Sequence, residues 1–173
     1  PSSTAPTLGN ETAYPNLARA TTGDAHLARA LAQLCSELQW DRVAILHDDS
    51  VWGAGGAAAF QSAFGGNVLP GSVVGFNLSA YEAGAVHPRE LLANLSATEP
   101  RVILLATQPP VQRALYAWAY ETSTLYGSRY GYGWMTLWPS EDALYNDDNS
   151  VNISAVYGAE GVIGLRSAEP DYA

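Results

Sequence analysis

The chain has 173 residues, 47% of them hydrophobic and 14% charged, with a formal net charge of -9. That is enough apolar material for one domain with a real core, and it excludes a disordered chain. A pI near 4.5 excludes binding to nucleic acid or to an anionic membrane surface, since both require Lys and Arg to meet phosphate.

Residues 1–23 are rich in Ser, Thr, Pro and Asn and show no period. From Asp24 onward, Leu27, Leu31, Leu34 and Leu38 recur at three- and four-residue steps, which places them on one face of a helix. Asp24 stands where an N-cap belongs, its carboxylate positioned to accept the free amides of the first turn. After Trp40-Asp41 the run RVAILH reads as a short buried strand, and DDSVWGAGG as a turn leading into a helix over 57–64 that Gly65-Gly66 breaks. VLPGSVVGF reads as a strand, HPRELLANL as a short helix with Pro88 in its first turn, and RVILLAT as a second buried strand. PPVQRALYAWAYETSTLYG predicts a long helix ending near Gly127, and YGWMTLW and GVIGLR predict two further strands. Residues 139–159 are acidic and polar and read as an excursion loop.

Helices alternating with short, all-apolar strands predict an α/β fold: a doubly wound, mostly parallel sheet with helices on both faces. The apolar run Val102–Ala106 is far short of the ~20 residues a bilayer span requires. Since the chain starts at Pro1 with no charged-then-apolar leader, any signal peptide or anchor is expected to be removed or to lie outside it. Cys35 is the single cysteine, so it has no partner for an internal disulfide. Four N-glycosylation triplets, at Asn10, Asn77, Asn94 and Asn152, exceed the roughly one that chance supplies. They outweigh the missing disulfide and predict an extracellular, glycosylated chain.

No catalytic constellation stands out. His26, His47 and His87 fall on three different elements, and no serine sits in a Gly-x-Ser-x-Gly elbow. His47-Asp48-Asp49 reads as a solvated strand end in preference to a metal site, because adjacent residues there diverge and no second ligand cluster accompanies them. GAGG after Trp52 lacks the Lys-Ser/Thr of a phosphate loop and reads as packing or hinge glycines. The chain is therefore expected not to be an enzyme, and no cofactor or metal is expected. What does stand out is aromatic: Trp52 just after RVAILH and Trp138 at the close of YGWMTLW. Ligands of parallel sheets bind outside the carboxyl ends of the strands, so both indoles are candidates to line one cleft. Trp40, Trp118 and Trp134 read as core.

The stretch SSTAPTLGNETAYPNLARATTGDAHLARALAQLCSELQWDRVAILHDDSVWGAGGAAAF resembles the ligand-binding ectodomain shared by natriuretic-peptide-type receptor guanylyl cyclases, metabotropic glutamate and GABA receptors, and bacterial amino-acid-binding proteins. Thr4, Leu8, Tyr14, Pro15, Arg19, Asp24, Trp40, Trp52-Gly53 and Gly56 carry the likeness. RVILLATQPPVQRALYAWAYETSTLYG, WMTLWPSEDALY and GVIGLR are similar to the GABA-receptor branch. The resemblance implies a type I periplasmic binding fold: a two-lobed clamshell, of which residues 1–38 would be the end of the first lobe and the crossing segment. Residues 39–165 would be the second lobe, and 166–173 the start of the return crossing.

By the same resemblance, Ser2 and Thr4 grip a ligand carboxylate, Asp24 takes an ammonium, and Trp52 and Trp138 contact ligand. An indole at 52, in place of the family's usual tyrosine, is at least as good a cation partner. Thr22 replaces the proline two residues before Asp24, and Thr107-Gln108 stand where the GABA branch has an aromatic. The resulting expectation is an extracellular sensor that closes on a small organic ligand such as an amino acid or amine, and signals through a membrane reached by the rest of the parent chain. Alternatives are an interaction lobe that binds no ligand and works as a homodimer or against a second receptor subunit, and, less favoured, a small α/β enzyme.

Overall fold

The computed structural model describes residues 8, 10, 12–16, 23–64, 68–125 and 131–164. Within them lie five strands, β1 (Val43–Asp48), β2 (Val68–Phe76), β3 (Val102–Ala106), β4 (Gly133–Thr136) and β5 (Ile163–Gly164). Six helices accompany them: α1 (Asp24–Glu37), α2 (Val51–Ala63), α3 (Leu78–Glu82), α4 (Pro88–Ser96), α5 (Pro109–Glu121) and α6 (Ile153–Gly158). The strands pair in the order β2-β1-β3-β4-β5, every pairing parallel. The doubly wound α/β layer expected from the alternation of elements is the fold observed.

The central strands β1 and β3 carry apolar runs, Val43–Leu46 and Val102–Ala106, because each feeds two cores. Val43 and Ile45 of β1, with Val102, Leu104 and Ala106 of β3, meet Ala28, Leu31 and Cys35 of α1 and Phe60 of α2 on one face. Ala44, Leu46, Ile103 and Leu105 meet Leu91 and Leu95 of α4 and Leu115 of α5 on the other. A fully buried Leu or Ile contributes about 1.5–3 kcal/mol, so the two cores together supply the driving force for the layer. The expected boundary at 38/39 falls between α1 and β1, and α1 packs into the same core as β1 and α2.

Several boundaries differ from expectation. Helix α2 begins at Val51 rather than Ala57: Ser50 caps it, its hydroxyl accepting from Gly53 N at 3.0 Å, and GAGG lies inside the helix. Helix α5 ends at Glu121, short of Gly127, and residues 126–130 lie outside the described ones. The 139–159 segment is not a plain loop. It holds a 3-10 turn over Glu141–Leu144, a bridge between Tyr145 and Val151, and α6, whose start Asn152 caps by accepting from Ala155 N at 2.9 Å.

Edge strand β2 carries an irregularity in its pairing with β1 between Val43 and Ile45. Gly71 takes φ 74° there, and Ser72 Oγ donates to Val43 O at 3.2 Å, stitching the bulge to the sheet. Gln39, at φ 55°, closes α1: its amide donates to Ser36 O and that of Trp40 to Cys35 O, the double bond of a Schellman ending.

Candidate functional site

The chain leaves β1 through α2 on one face of the sheet, returns past β1 to β3, and leaves β3 through α5 on the other face. The carboxyl ends of β1 and β3 are thus the switch point where a crevice opens. Helix α1 runs back toward the start of β1, so its first residue lies at the same edge as the first turn of α2.

Trp52, on the first turn of α2, is 47% exposed. Trp138 follows β4, half-buried against the α1/α2 core, and a Cβ placed on Gly56 would lie 3.8 Å from its Cη2. The absence of a side chain at Gly56, one turn after Trp52, lets Leu137 approach: a Cβ there would lie 2.5 Å from its Cδ1, against an ordinary 3.8 Å from Trp138.

Asp24 is the first residue of α1 and not its cap. Gly23 occupies the N-cap with no side-chain capping bond. The capping role expected for Asp24 is corrected on that geometry: the residue is 1% exposed, and its Oδ2 has no hydrogen-bond partner among the described residues. A buried, unpaired carboxylate oxygen forfeits hydration without compensation, and the positive end of the α1 dipole offsets only part of that cost. Ser2 and Thr4 lie outside the described residues.

Two further polar groups stand at the switch point, and the solvated strand end expected at His47-Asp48-Asp49 is corrected at Asp48, which is buried between β1 and α2. Asp48, the last residue of β1, and Thr107, the first after β3, are fully buried, and Asp48 Oδ2 and Thr107 Oγ1 have no partner among the described residues. Asp48 Oδ1 accepts from Ser50 N at 3.0 Å and from the Ser50 hydroxyl. The available signal was position alone: each follows closely on an apolar run, Val43–Leu46 for Asp48 and Val102–Ala106 for Thr107.

His47 places Nδ1 2.9 Å from the Asp48 carbonyl. Asp49 is exposed and holds two neighbours, accepting from Leu78 N at 3.0 Å and Asn77 Nδ2 at 2.6 Å, contacts that set its carboxyl below the usual range. Among the described residues no group of three His, Cys, Asp or Glu is placed to hold a metal ion, and no helix is long and apolar enough to cross a membrane.

Of the glycosylation candidates, Asn10, Asn77 and Asn94 are exposed. Asn152 is half-buried, its Nδ2 donating to Asn146 Oδ1 at 2.9 Å while its Oδ1 caps α6. Cys35 is buried with Sγ 3.6 Å from Met135 Sδ, and burial pushes its thiol up to about 11.

The family model described as the receptor family ligand binding region matches residues 1–173. No curated protein matches the chain.

Proposed function

The chain belongs to the receptor ligand-binding-region family, whose type I periplasmic binding fold its parallel sheet shares, and from that premise we propose that it is the extracellular sensor module of a membrane receptor. Its ligand is a small amine or amino acid. The observation that carries this reading is Asp24: a carboxylate withdrawn from water, without a capping role, with one oxygen lacking a partner. An ammonium group is the species that best completes such an oxygen. In this reading Trp52, exposed on the first turn of α2, and Trp138, packed against the α1/α2 core, offer indole faces to the same cation.

In this reading residues 39–165 form the second lobe, 1–38 end the first lobe and cross between them, and 166–173 begin the return. Ser2 and Thr4 hold the ligand's carboxylate. Ligand touching both lobes favours the closed state by its added contacts, and closure is the signal. Glycans on Asn10, Asn77, Asn94 or Asn152 accompany an extracellular location.

The test is a thermal-shift screen of the chain against amino acids and primary amines, with Asp24→Asn and Trp52→Ala applied to any hit. A stabilising ligand whose effect both substitutions abolish supports the reading. A ligand indifferent to both substitutions overturns the site.

One observation favours a second reading, an interaction lobe. Ile153, Val156 and Tyr157 form an exposed stripe on α6, and Tyr157 stacks on Tyr120 of α5 with ring centroids 5.2 Å apart. Such an aromatic-bearing patch fits a homodimer or a second receptor subunit. Ile153→Asp would then shift the sedimentation of a dimer to that of a monomer.

A further inference from the structure

On the face of the sheet opposite α2, at the carboxyl ends of β4 and β5, lies a cavity of about 360 Å³ between α5, the Glu141–Leu144 turn and the residues after α6. Ala143, Leu144 and Val162 supply apolar wall. Its volume falls in the range of small-molecule sites, and parallel sheets take ligands at these strand ends.

Three buried polar side chains line it, and each has hydrogen-bonding capacity left over. The Tyr116 hydroxyl is buried and has no partner among the described residues. Its ring meets Trp134 edge to face, with centroids 5.5 Å apart, and burial raises the phenol well above its usual range, so the hydroxyl is held in place and kept protonated as a donor. Thr136, 1% exposed, accepts from Trp138 N at 3.2 Å, and its own hydroxyl hydrogen meets no acceptor among the described residues. Gln112, also 1% exposed and one turn before Tyr116 on α5, donates from Nε2 to Thr107 O at 2.8 Å. That bond fixes the amide and leaves Oε1, an acceptor, without a donor among the described residues. The other polar side chains of the wall are engaged or in water: Ser140 Oγ donates to Asp142 Oδ2 at 3.1 Å and accepts from Asp142 N at 3.2 Å, and Glu141 is exposed. No Lys, Arg or His is among the lining residues.

We propose that this cavity is a second binding site, separate from that of Asp24 and Trp52, for a small neutral amphiphile whose polar end is a primary carboxamide. The carbonyl oxygen of a carboxamide has two lone pairs for the Tyr116 and Thr136 hydroxyls, and its N–H is the donor that Gln112 Oε1 lacks. The apolar body sits among Ala143, Leu144 and Val162. A carboxylate of the same shape accepts from the hydroxyls but sets its second oxygen against the Gln112 acceptor, with no cation in the wall to offset its lost hydration. An ammonium meets Gln112 Oε1 alone and leaves both hydroxyls unpaired, and the Glu141 carboxylate, standing in water, offsets little of its desolvation. Both ions are disfavoured for want of partners, and the amide is not.

Calorimetric titration of the full chain with phenylacetamide, phenylacetate and phenethylammonium tests this, since the three share a benzyl group and differ in the polar end. Phenylacetamide is expected to bind, and each ion to bind more weakly by roughly tenfold or more. Tyr116→Phe keeps the ring and removes the hydroxyl, and is expected to weaken phenylacetamide about fivefold. The same substitution should leave the melting temperature of the ligand-free chain unchanged or higher, because a buried hydroxyl without a partner contributes no bond to the fold. Ala159→Leu, which adds bulk to the cavity wall, is expected to abolish binding, with unchanged circular dichroism as the check on folding. Trp52→Ala and Asp24→Asn should leave phenylacetamide binding intact, which separates failure of this site from failure of the sensor site. Absence of phenylacetamide binding at millimolar concentration, or either ion binding as tightly as the amide, would overturn the proposal. So would binding undiminished by Tyr116→Phe or by a folded Ala159→Leu, a lowered melting temperature in Tyr116→Phe, or loss of binding in Trp52→Ala or Asp24→Asn.

Discussion

Helices α1 and α2 begin at the same edge of the sheet, yet their first turns are built in opposite ways. That of α2 is closed. Ser50 caps it, donates to the buried Asp48 carboxylate, and Gly53 lies against the Asp48 and Ala106 backbone. That of α1 is open. Gly23 offers no side chain to the free amides, and Asp24 is buried with an oxygen left over. Where the chain must hold two strands and a helix together it satisfies most of its polar groups. Both starts leave a carboxylate oxygen without a partner among the described residues, Asp24 Oδ2 at α1 and Asp48 Oδ2 beside α2, and what separates them is the side-chain cap that α2 has and α1 lacks.

The largest effect expected from breaking this contrast is at Gly53. A Cβ there would lie 2.6 Å from Asp48 O and 2.8 Å from Ala106 O, both backbone atoms that yield only if α2 moves off the sheet. Gly53→Ala should cost on the order of 3 kcal/mol or more in urea unfolding; a loss below about 1 kcal/mol would mean that α2 is not seated as described.

Next is Ser50→Ala, which removes the cap and one partner of buried Asp48 together. The expected loss is about 1–2 kcal/mol by the same measurement. An unchanged midpoint would erase the distinction between the two helix starts.

Asp24→Asn should behave in the other direction. Removing an unpaired buried charge should stabilise the ligand-free chain by about 1 kcal/mol after the lost helix-dipole term is subtracted, while the ligand-induced shift disappears. Destabilisation instead would show that the carboxylate has an internal structural partner, and the contrast between open and closed starts would fail.

The smallest effect sharpens the closed side. The carboxyl of Asp49 is lowered, chiefly by the Leu78 amide, so the folded state favours its ionised form. Its contribution is present above the ordinary carboxylate pKa near 4 and is lost as pH falls through the lower folded value. Asp49→Asn should therefore flatten the acid limb of the stability profile below about pH 4 and leave neutral pH nearly unchanged. A profile altered at neutral pH would place its role elsewhere.

Much of the layer could be read in advance because its elements are locally consistent. RVAILH and RVILLAT are apolar at every position between their flanking polar residues, which a strand buried on two faces demands. The leucines of α1 repeat with helical period. Helix α2 was legible only in part. Its glycines have poor helix propensity and look like a turn, but they are there because Asp48, Ala106, Leu137 and Trp138 come close to that side of the helix. Helix α6 was missed because six residues carry too little period to register. It is held by contacts remote in sequence: the Tyr120–Tyr157 stack, and Gly158 set so closely on the Tyr116 backbone that a Cβ would overlap it.

The candidate site divides in the same way. Trp52 and Trp138 could be picked out because they follow apolar strands, and strand ends are where a parallel sheet opens. Asp24 could be picked out through the family resemblance, whereas its local pattern pointed to a cap, a position that Gly23 holds, since capping and burial use the same residue type at nearly the same position. Asp48 was read as part of a solvated strand end and proved fully buried, as did Thr107, because a polar residue at a strand end does not reveal its burial until its neighbours are known.

By itself, then, the sequence determined that this is one acidic α/β layer with strands buried on both faces, because hydrophobic period and run length are local properties of the chain. Only the tertiary structure decided which polar atoms go without partners, which glycines mark close approaches, and where a cavity remains. Those depend on atoms many residues apart converging in space, and no local pattern encodes that convergence.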